Sequence, residues 1–268
     1  MKKYFYNFET DSDYESFKNT TNESSICYVK ENDTIIANKK DYSKEYLTFI
    51  ALENGEFKFT GSGIYYSLDN GNTWVSLSAN QLSPTVEKGE KIMWKGNMVF
   101  EMYAGVGTFS STGLFIAEGN VMSLTYGDNF IGKDSMDNVD FAFMSLFRNC
   151  ATIKYAKNMI LPLKRIGFFG YAAMFYNCTQ LTAAPTIPDI TLSDYYNSFA
   201  FSGMFYGCSN LTYVRFLITT SFDNNIFIGD DVSSNGVFVI NKQTMFGNDS
   251  FWYYGKGVPS GWIVKYDK

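Results

Sequence analysis

The sequence predicts an α+β, mainly β chain: a small antiparallel β-sandwich followed by a short repeat solenoid with a C-terminal β cap. Three observations carry that reading. From Tyr46 onward apolar and polar residues alternate at period two; one aromatic-and-cysteine motif recurs three times in the second half; and the segment from Val237 to Lys268 is strand-like and rich in rings. With 46% apolar and 18% charged residues, the 268-residue chain has material for a large core, which excludes wholesale disorder.

Residues 1–40 read as an N-terminal docking arm. Thr10-Asp11-Ser12-Asp13 sets a capping hydroxyl three residues before a carboxylate, and Tyr14 and Phe17 follow at i, i+3, so a short helix is expected near 11–19. Asn19 to Asn38 is polar, broken by Tyr28-Val29 and Ile35-Ile36, and suits short strands that dock on something else.

Residues 41–128 read as the β-sandwich. Leu47/Phe49 and Phe57/Phe59 alternate with polar neighbours, and Ile64 to Leu68 meets Trp74 to Leu77 across Asp69-Asn70-Gly71, whose Asn-Gly supplies the positive φ angles of a tight hairpin. Further strands are expected at Lys91–Trp94, Val99–Tyr103 and Leu114–Ala117. Ser67-x-Asp69-x-Gly71-x-Thr73-Trp74 is similar to the Asp box of sialidase-like propellers, where the Asp and Thr fasten a hairpin and the Trp packs beneath it. A propeller needs several such blades and this chain has one box, so the motif is read as a hairpin clasp.

Residues 129–268 carry the repeats and their cap. Leu146 to Ile153, Met174 to Leu181 and Met204 to Leu211 align without gaps, their cysteines 28 and 30 residues apart. Tyr171, Met174, Phe175 and Cys178 fall at i, i+3, i+4, i+7, the spacing of one helical face, so each unit is expected to hold one or two helical turns and then a strand. A unit this small cannot bury both faces alone. The expected repeat core is Phe147, Cys150, Met174, Phe175, Cys178, Leu181, Met204, Phe205, Cys208 and Leu211, stacked in ladders. The uncharged stretch from Ile166 to Pro188 has the length of a bilayer span, but its polar and proline content makes it buried repeat.

Composition narrows the chemistry. The chain has no histidine, which removes imidazole bases and the common histidine metal sites, and its net charge of −5 gives phosphate backbones nothing to neutralise. Four cysteines make no disulfide framework and are expected to be reduced. Asp134/Asp137/Asp140 and Asp230-Asp231 lack the spacing of a calcium loop and read as solvated turns. No catalytic residue, metal site or cofactor is expected, and the chain is read as not an enzyme. Tyr4, Phe5, Tyr6, Phe8, Tyr195, Tyr196, Tyr253 and Tyr254 form clusters that cannot all point inward, which makes them the candidate docking or interface residues.

The motif M-F-x-x-C-x-x-L, followed in the middle copy by Pro185-Thr186-Ile187-Pro188, resembles the BspA-like leucine-rich repeats of gut Bacteroidales and their viruses. Gly257-Val258-Pro259-Ser260-Gly261-Trp262 is similar to the terminal G-I-P-S-G-W seal of that group, and the Asp-box hairpin, Lys91 to Gly96 and Gly107 to Ser110 resemble the β domain that often precedes such repeats. The first copy departs from the pattern at Arg148 and Ile153.

Such relatives divide into bacterial surface adhesins and virion proteins of tailed, crAss-like phages. An adhesin needs an export signal, whereas Lys2-Lys3 is followed by Tyr4-Phe5-Tyr6 and a polar run with no apolar core. The resemblance therefore implies a head fibre or decoration protein of a tailed phage infecting gut Bacteroidales, assembled in the host cytoplasm and displayed on the virion surface. The alternative is a BspA-like cell-surface adhesin. Expected partners are capsid or other virion proteins through the arm, further copies of the chain as a dimer or trimer, and a host or mucus glycan as receptor. Neither nucleic acid nor membrane is an expected partner.

Overall fold

The structure is a computed structural model, which describes residues 41–97, 107–136, 139–190, 199–218, 231–241, 258–259 and 261–267. The chain divides after Asp41 into two units, Met1–Asp41 and Tyr42–Lys268. Apart from Asp41 the first unit lies outside the described residues, as do the expected helix near 11–19 and the expected strand at Val99–Tyr103.

The front of the second unit holds β1 (Leu47–Ala51), β2 (Phe57–Phe59), β3 (Ile64–Ser67), β4 (Val75–Leu77), β5 (Lys91–Gly96), β6 (Phe109–Ser111) and β7 (Phe115–Asn120). β7, β1, β5, β3 and β4 lie side by side, antiparallel throughout. β2 and β6 pair separately and lay Phe57 and Phe109 against Phe49 and Trp94, with ring centroids 4.9–6.3 Å apart. β1 and β7 are buried along their whole length, as strands covered on both faces must be. The described helix, α1 (Ser123–Tyr126), is a single turn packed on β5.

Behind it come β8 (Ile153–Tyr155), β9 (Met159–Ile160), β10 (Ala183–Ile187), β11 (Tyr213–Phe216), β12 (Val237–Ile240) and β13 (Ile263–Tyr266), and all their pairings are parallel. Pro185 lies where the β10–β11 register shifts, a position that tolerates its missing N–H. The described chain is thus mainly β. No described helix is long and apolar enough to cross a membrane.

Two expectations need correction. The segments before the repeat strands are not helical: 140–149, 168–177 and 200–207 are runs of turns. Alternate residues donate their N–H to the next copy, Phe143 to Gly170, Ser145 to Ala172, Phe147 to Met174 and Asn149 to Tyr176, while those between bond three residues back within the turn. Left-handed residues recur every fourth position, at Phe141, Ser145 and Asn149 and again at Phe169, Ala173 and Asn177. A helix would satisfy its N–H groups within one copy; this backbone uses half of them to tie copies together. Tyr171, Met174, Phe175 and Cys178 are all buried, so the inward spacing was read from the sequence correctly and the backbone that produces it was not.

The second correction concerns the boundary near residue 128. One sheet runs across it in the order β13-β12-β11-β10-β8-β7-β1-β5-β3-β4, with β9 against β10 and β7. β7 is the hinge of the topology, antiparallel to β1 on one side and parallel to β8 and β9 on the other. One hydrophobic core likewise contains Phe49, Trp94, Phe147 and Trp262. The end of an alternating pattern is a local signal, while pairing across that point is non-local and leaves no mark on it.

Candidate functional site

The repeats are held by ladders of identical positions. Phe147 lies over Phe175 at 5.4 Å between ring centroids and 4° from parallel, and Phe175 over Phe205 at 5.7 Å and 10°. Phe109 extends this ladder forward, stacking on Phe147 at 5.8 Å and donating its N–H to the Leu146 carbonyl. A parallel ladder runs through Phe143, Tyr171 and Phe201. All ten expected core residues are buried, with Met204, Phe205 and Cys150 the most exposed at 2–3%.

The cysteines are hydrogen-bonded rungs. The Cys178 thiol donates to the Phe147 carbonyl of the preceding copy and the Cys208 thiol to the Phe175 carbonyl, both at 3.0 Å; Cys150 instead meets the Thr152 hydroxyl at 3.5 Å. All three are free thiols. Burial pushes Cys150 and Cys178 above the ordinary thiol range and Cys208 up to about 12, which withdraws the nucleophilic thiolate at neutral pH. Further rungs come from Asn177 Nδ2 donating to Asn149 Oδ1, Thr182 to the Lys154 carbonyl, Asn210 to the Thr179 carbonyl and Thr212 to the Thr182 carbonyl.

The residue before each cysteine is Asn149, Asn177 or Gly207, and all three are left-handed, with φ of 60°, 57° and 73°. These are the residue types that adopt this conformation at least cost. A Cβ on Gly207 would also collide with Asn177 Oδ1. The Asn/Asn/Gly series was the sequence signal for a turn in place of a helix.

One position further back the same logic builds an outer row. Arg148 sits over the Tyr176 ring at 4.8 Å, Tyr176 stacks on Tyr206 at 4.9 Å, and Tyr206 meets Asp231, whose charge raises the phenol's pKa. Arg148, a departure from the motif in sequence, is here the cation that closes an aromatic stack. Tyr206 and Arg148 are exposed and Tyr176 half-buried, so this row is what the turn face presents to solvent.

At the front, the Asp box works as a clasp. Asp69 accepts from the Thr73 N–H at 2.9 Å, the Thr73 hydroxyl at 2.7 Å and the Ser67 hydroxyl at 2.7 Å, while the Trp74 indole donates to the Gly71 carbonyl at 3.1 Å. These bonds to the charged form hold the Asp69 carboxyl down at about 2. Trp74 packs against Tyr46 and under Lys95, and Lys95 and Tyr46 both donate to Asp128; burial, with the bond to Asp128 and that carboxylate's charge, pushes the Tyr46 phenol up to about 12.

At the back, Trp262 is buried and its indole donates to the Ser233 carbonyl at 2.7 Å; Val258 is buried too. Arg215 on β11 bridges to both oxygens of Asp267 at 2.8 Å, fastening the end of the chain.

The candidate docking residues Tyr4, Phe5, Tyr6, Phe8, Tyr195, Tyr196, Tyr253 and Tyr254 all lie outside the described residues. Of the acidic clusters, Asp134 pairs with Lys164 at 2.6 Å, Asp140 accepts the Phe168 N–H at 2.8 Å, and Asp137 and Asp230 are not among the described residues. The described residues bring together no group of three or more His, Cys, Asp or Glu suited to a metal ion. No family model, curated protein or solved structure matches the chain.

Proposed function

We propose that this chain is a structural surface protein that works by contact: a head fibre or decoration protein on the virion of a tailed phage infecting gut Bacteroidales, built around a short solenoid of BspA-like leucine-rich repeats. Its N-terminal arm fixes it to capsid or other virion proteins, several copies act together, and the outer row of Arg148, Tyr176 and Tyr206 faces host or mucus glycans.

The observation that carries this reading is the commitment of the repeat side chains to packing. Sulfur and rings are joined copy to copy, the thiols with raised pKa values and those of Cys178 and Cys208 bonded to carbonyls. What such a stack offers a partner is shape and a patterned face. The repeat motif and the buried Trp262 of the terminal Gly-Trp segment support the resemblance from which the virion setting comes.

Mass spectrometry of purified particles tests it. The protein is expected in many copies per particle. Its absence from particles, with cleavage by protease added to intact bacterial cells, would overturn the virion setting in favour of the adhesin.

A further inference from the structure

The chain holds three Asn-Gly pairs, at 54–55, 70–71 and 235–236. In such a pair the backbone can attack the asparagine side chain, because the glycine nitrogen approaches with no Cβ in the way. All three asparagines are exposed, so access of water does not separate them. The glycine N–H does.

Gly55 donates its N–H to the Val86 carbonyl at 3.1 Å and accepts the Val86 N–H in return, while the Lys88 N–H holds Asn54 Oδ1 at 2.8 Å. Gly71 donates to the Ser67 hydroxyl at 2.8 Å, inside the Asp-box clasp. The proton must leave before the nitrogen can attack, so each of these bonds works against the reaction. Gly236 has no such bond to a described residue; the pairing beside it uses its carbonyl, which accepts the Ile263 N–H at 2.8 Å. Its asparagine is also polarised, since the Ser233 hydroxyl donates to Asn235 Oδ1 at 3.4 Å and draws electrons from the carbon under attack.

We propose that Asn235-Gly236 is a site of spontaneous modification, at which the Gly236 nitrogen displaces ammonia from Asn235 and water then leaves aspartate or isoaspartate in its place. Solvent base takes the Gly236 proton. The nitrogen bonds to Asn235 Cγ as the Cγ–Nδ2 bond breaks, and the amide leaves as ammonia with a proton from solvent. Water opens the resulting cyclic imide at either carbonyl. Opening at the main-chain carbonyl routes the backbone through Cβ and Cγ, which adds one methylene to it and leaves a new carboxylate. One water enters and one ammonia leaves, and nothing is oxidised.

The place gives the change its effect. Gly236 lies so close to Trp262 and the Thr212 carbonyl that a Cβ there would come within 2.6–2.7 Å of both, and Val237 donates its N–H to that same carbonyl at 2.8 Å. The Trp262 indole reaches back to the Ser233 carbonyl. A longer backbone between Ser233 and Val237 breaks this closure, so β12 loses its register with β11 and β13 comes loose with Trp262.

Peptide mapping of the folded full chain by mass spectrometry tests the assignment, during incubation at pH 8 and with aspartate and isoaspartate separated by chromatography. Asn235 is expected to convert about tenfold faster than Asn54 and Asn70, and the gap to close in urea, where all three glycine N–H groups are released. Equal rates in the folded chain would overturn it. So would a gap that persists in urea, which would come from sequence neighbours and not from the fold. Hydrogen exchange reads the effect on the sheet: the Ile263 amide is expected to lose protection as isoaspartate accumulates, and to keep it in Asn235→Gln, whose longer side chain closes a ring far more slowly. Undiminished protection in the modified chain would overturn the loosening.

Discussion

Phe49 in the front half and Phe175 in the repeats are equally buried, yet their neighbours meet them by different rules. Phe49 touches Phe57, Trp94, Phe109, Phe115 and Phe147 at interplanar angles of 40–86°. Phe175 lies between two rings within 10° of parallel. A core without repetition can set each ring at its own angle, here from tilted to edge-to-face. A stack of copies carries each ring into its own image, so the orientation is inherited and the ring is held by the rungs around it. The front half is therefore specified by side-chain shape, and the repeats by the backbone and thiol bonds that keep copies in step.

That contrast can be broken first at the rings. Phe175→Ala, which empties both sides of a ladder at once, is expected to cost about 3–5 kcal/mol in chemical denaturation. A cost below about 1 kcal/mol would show that the rings are not packed as a ladder.

Next comes the backbone. Gly207→Ala forces a Cβ into a left-handed position and onto Asn177, so the expected loss is about 1–2 kcal/mol or more, whereas Asn177→Gly should change stability by less than that. Equal effects at the two sites would contradict the turn geometry.

The thiols are a smaller matter. Cys178→Ala is expected to cost about 0.5–1.5 kcal/mol for the lost bond, because the Phe147 carbonyl keeps the Cys150 N–H, and Cys178→Ser should recover part of it. Burial raises the folded pKa of all three thiols, so their contribution is complete below the unfolded value near 9.0 and is lost as pH climbs toward about 12, where Cys208 ionises in the fold. Folded protein at pH 8 should resist alkylation at these cysteines, as read by mass spectrometry; rapid labelling would place them in an open stack.

The smallest effect is expected at Asp69. Its folded pKa is depressed from 3.8 to about 2, so the clasp's contribution is present above 3.8 and fades as pH falls toward 2. Titration of the Asp69 carboxyl by NMR should show this; a midpoint near 4 would mean the clasp is open.

Where the sequence was legible, the signal was local. Period-two alternation found β1, β2, β3, β4, β5 and β7, and the gapless motif found all ten core residues, since burial follows spacing whatever the backbone between. It failed where bonds join distant segments. The spacing of Tyr171, Met174, Phe175 and Cys178 fits a helix and a run of turns alike, and N–H groups donated 27–29 residues onward leave no trace in a local pattern. Phe109, the rung before the first motif copy, sits outside any M-F-x-x-C frame, and its place in the ladder comes from a non-local bond, its N–H to the Leu146 carbonyl. The outer row at Arg148, Tyr176 and Tyr206 was within reach, because all three stand two residues before a cysteine.

If the two halves share one sheet and one core, they should open together. Native-state hydrogen exchange in rising denaturant measures this at Ala51, whose N–H donates to Glu90 in the front half, and at Phe175 and Asn177, whose N–H groups donate to Met204 and Tyr206. The account predicts one common opening free energy for the three amides. Full protection at Ala51 after Phe175 and Asn177 have exchanged would mean two independent domains meeting near residue 128, and would contradict it.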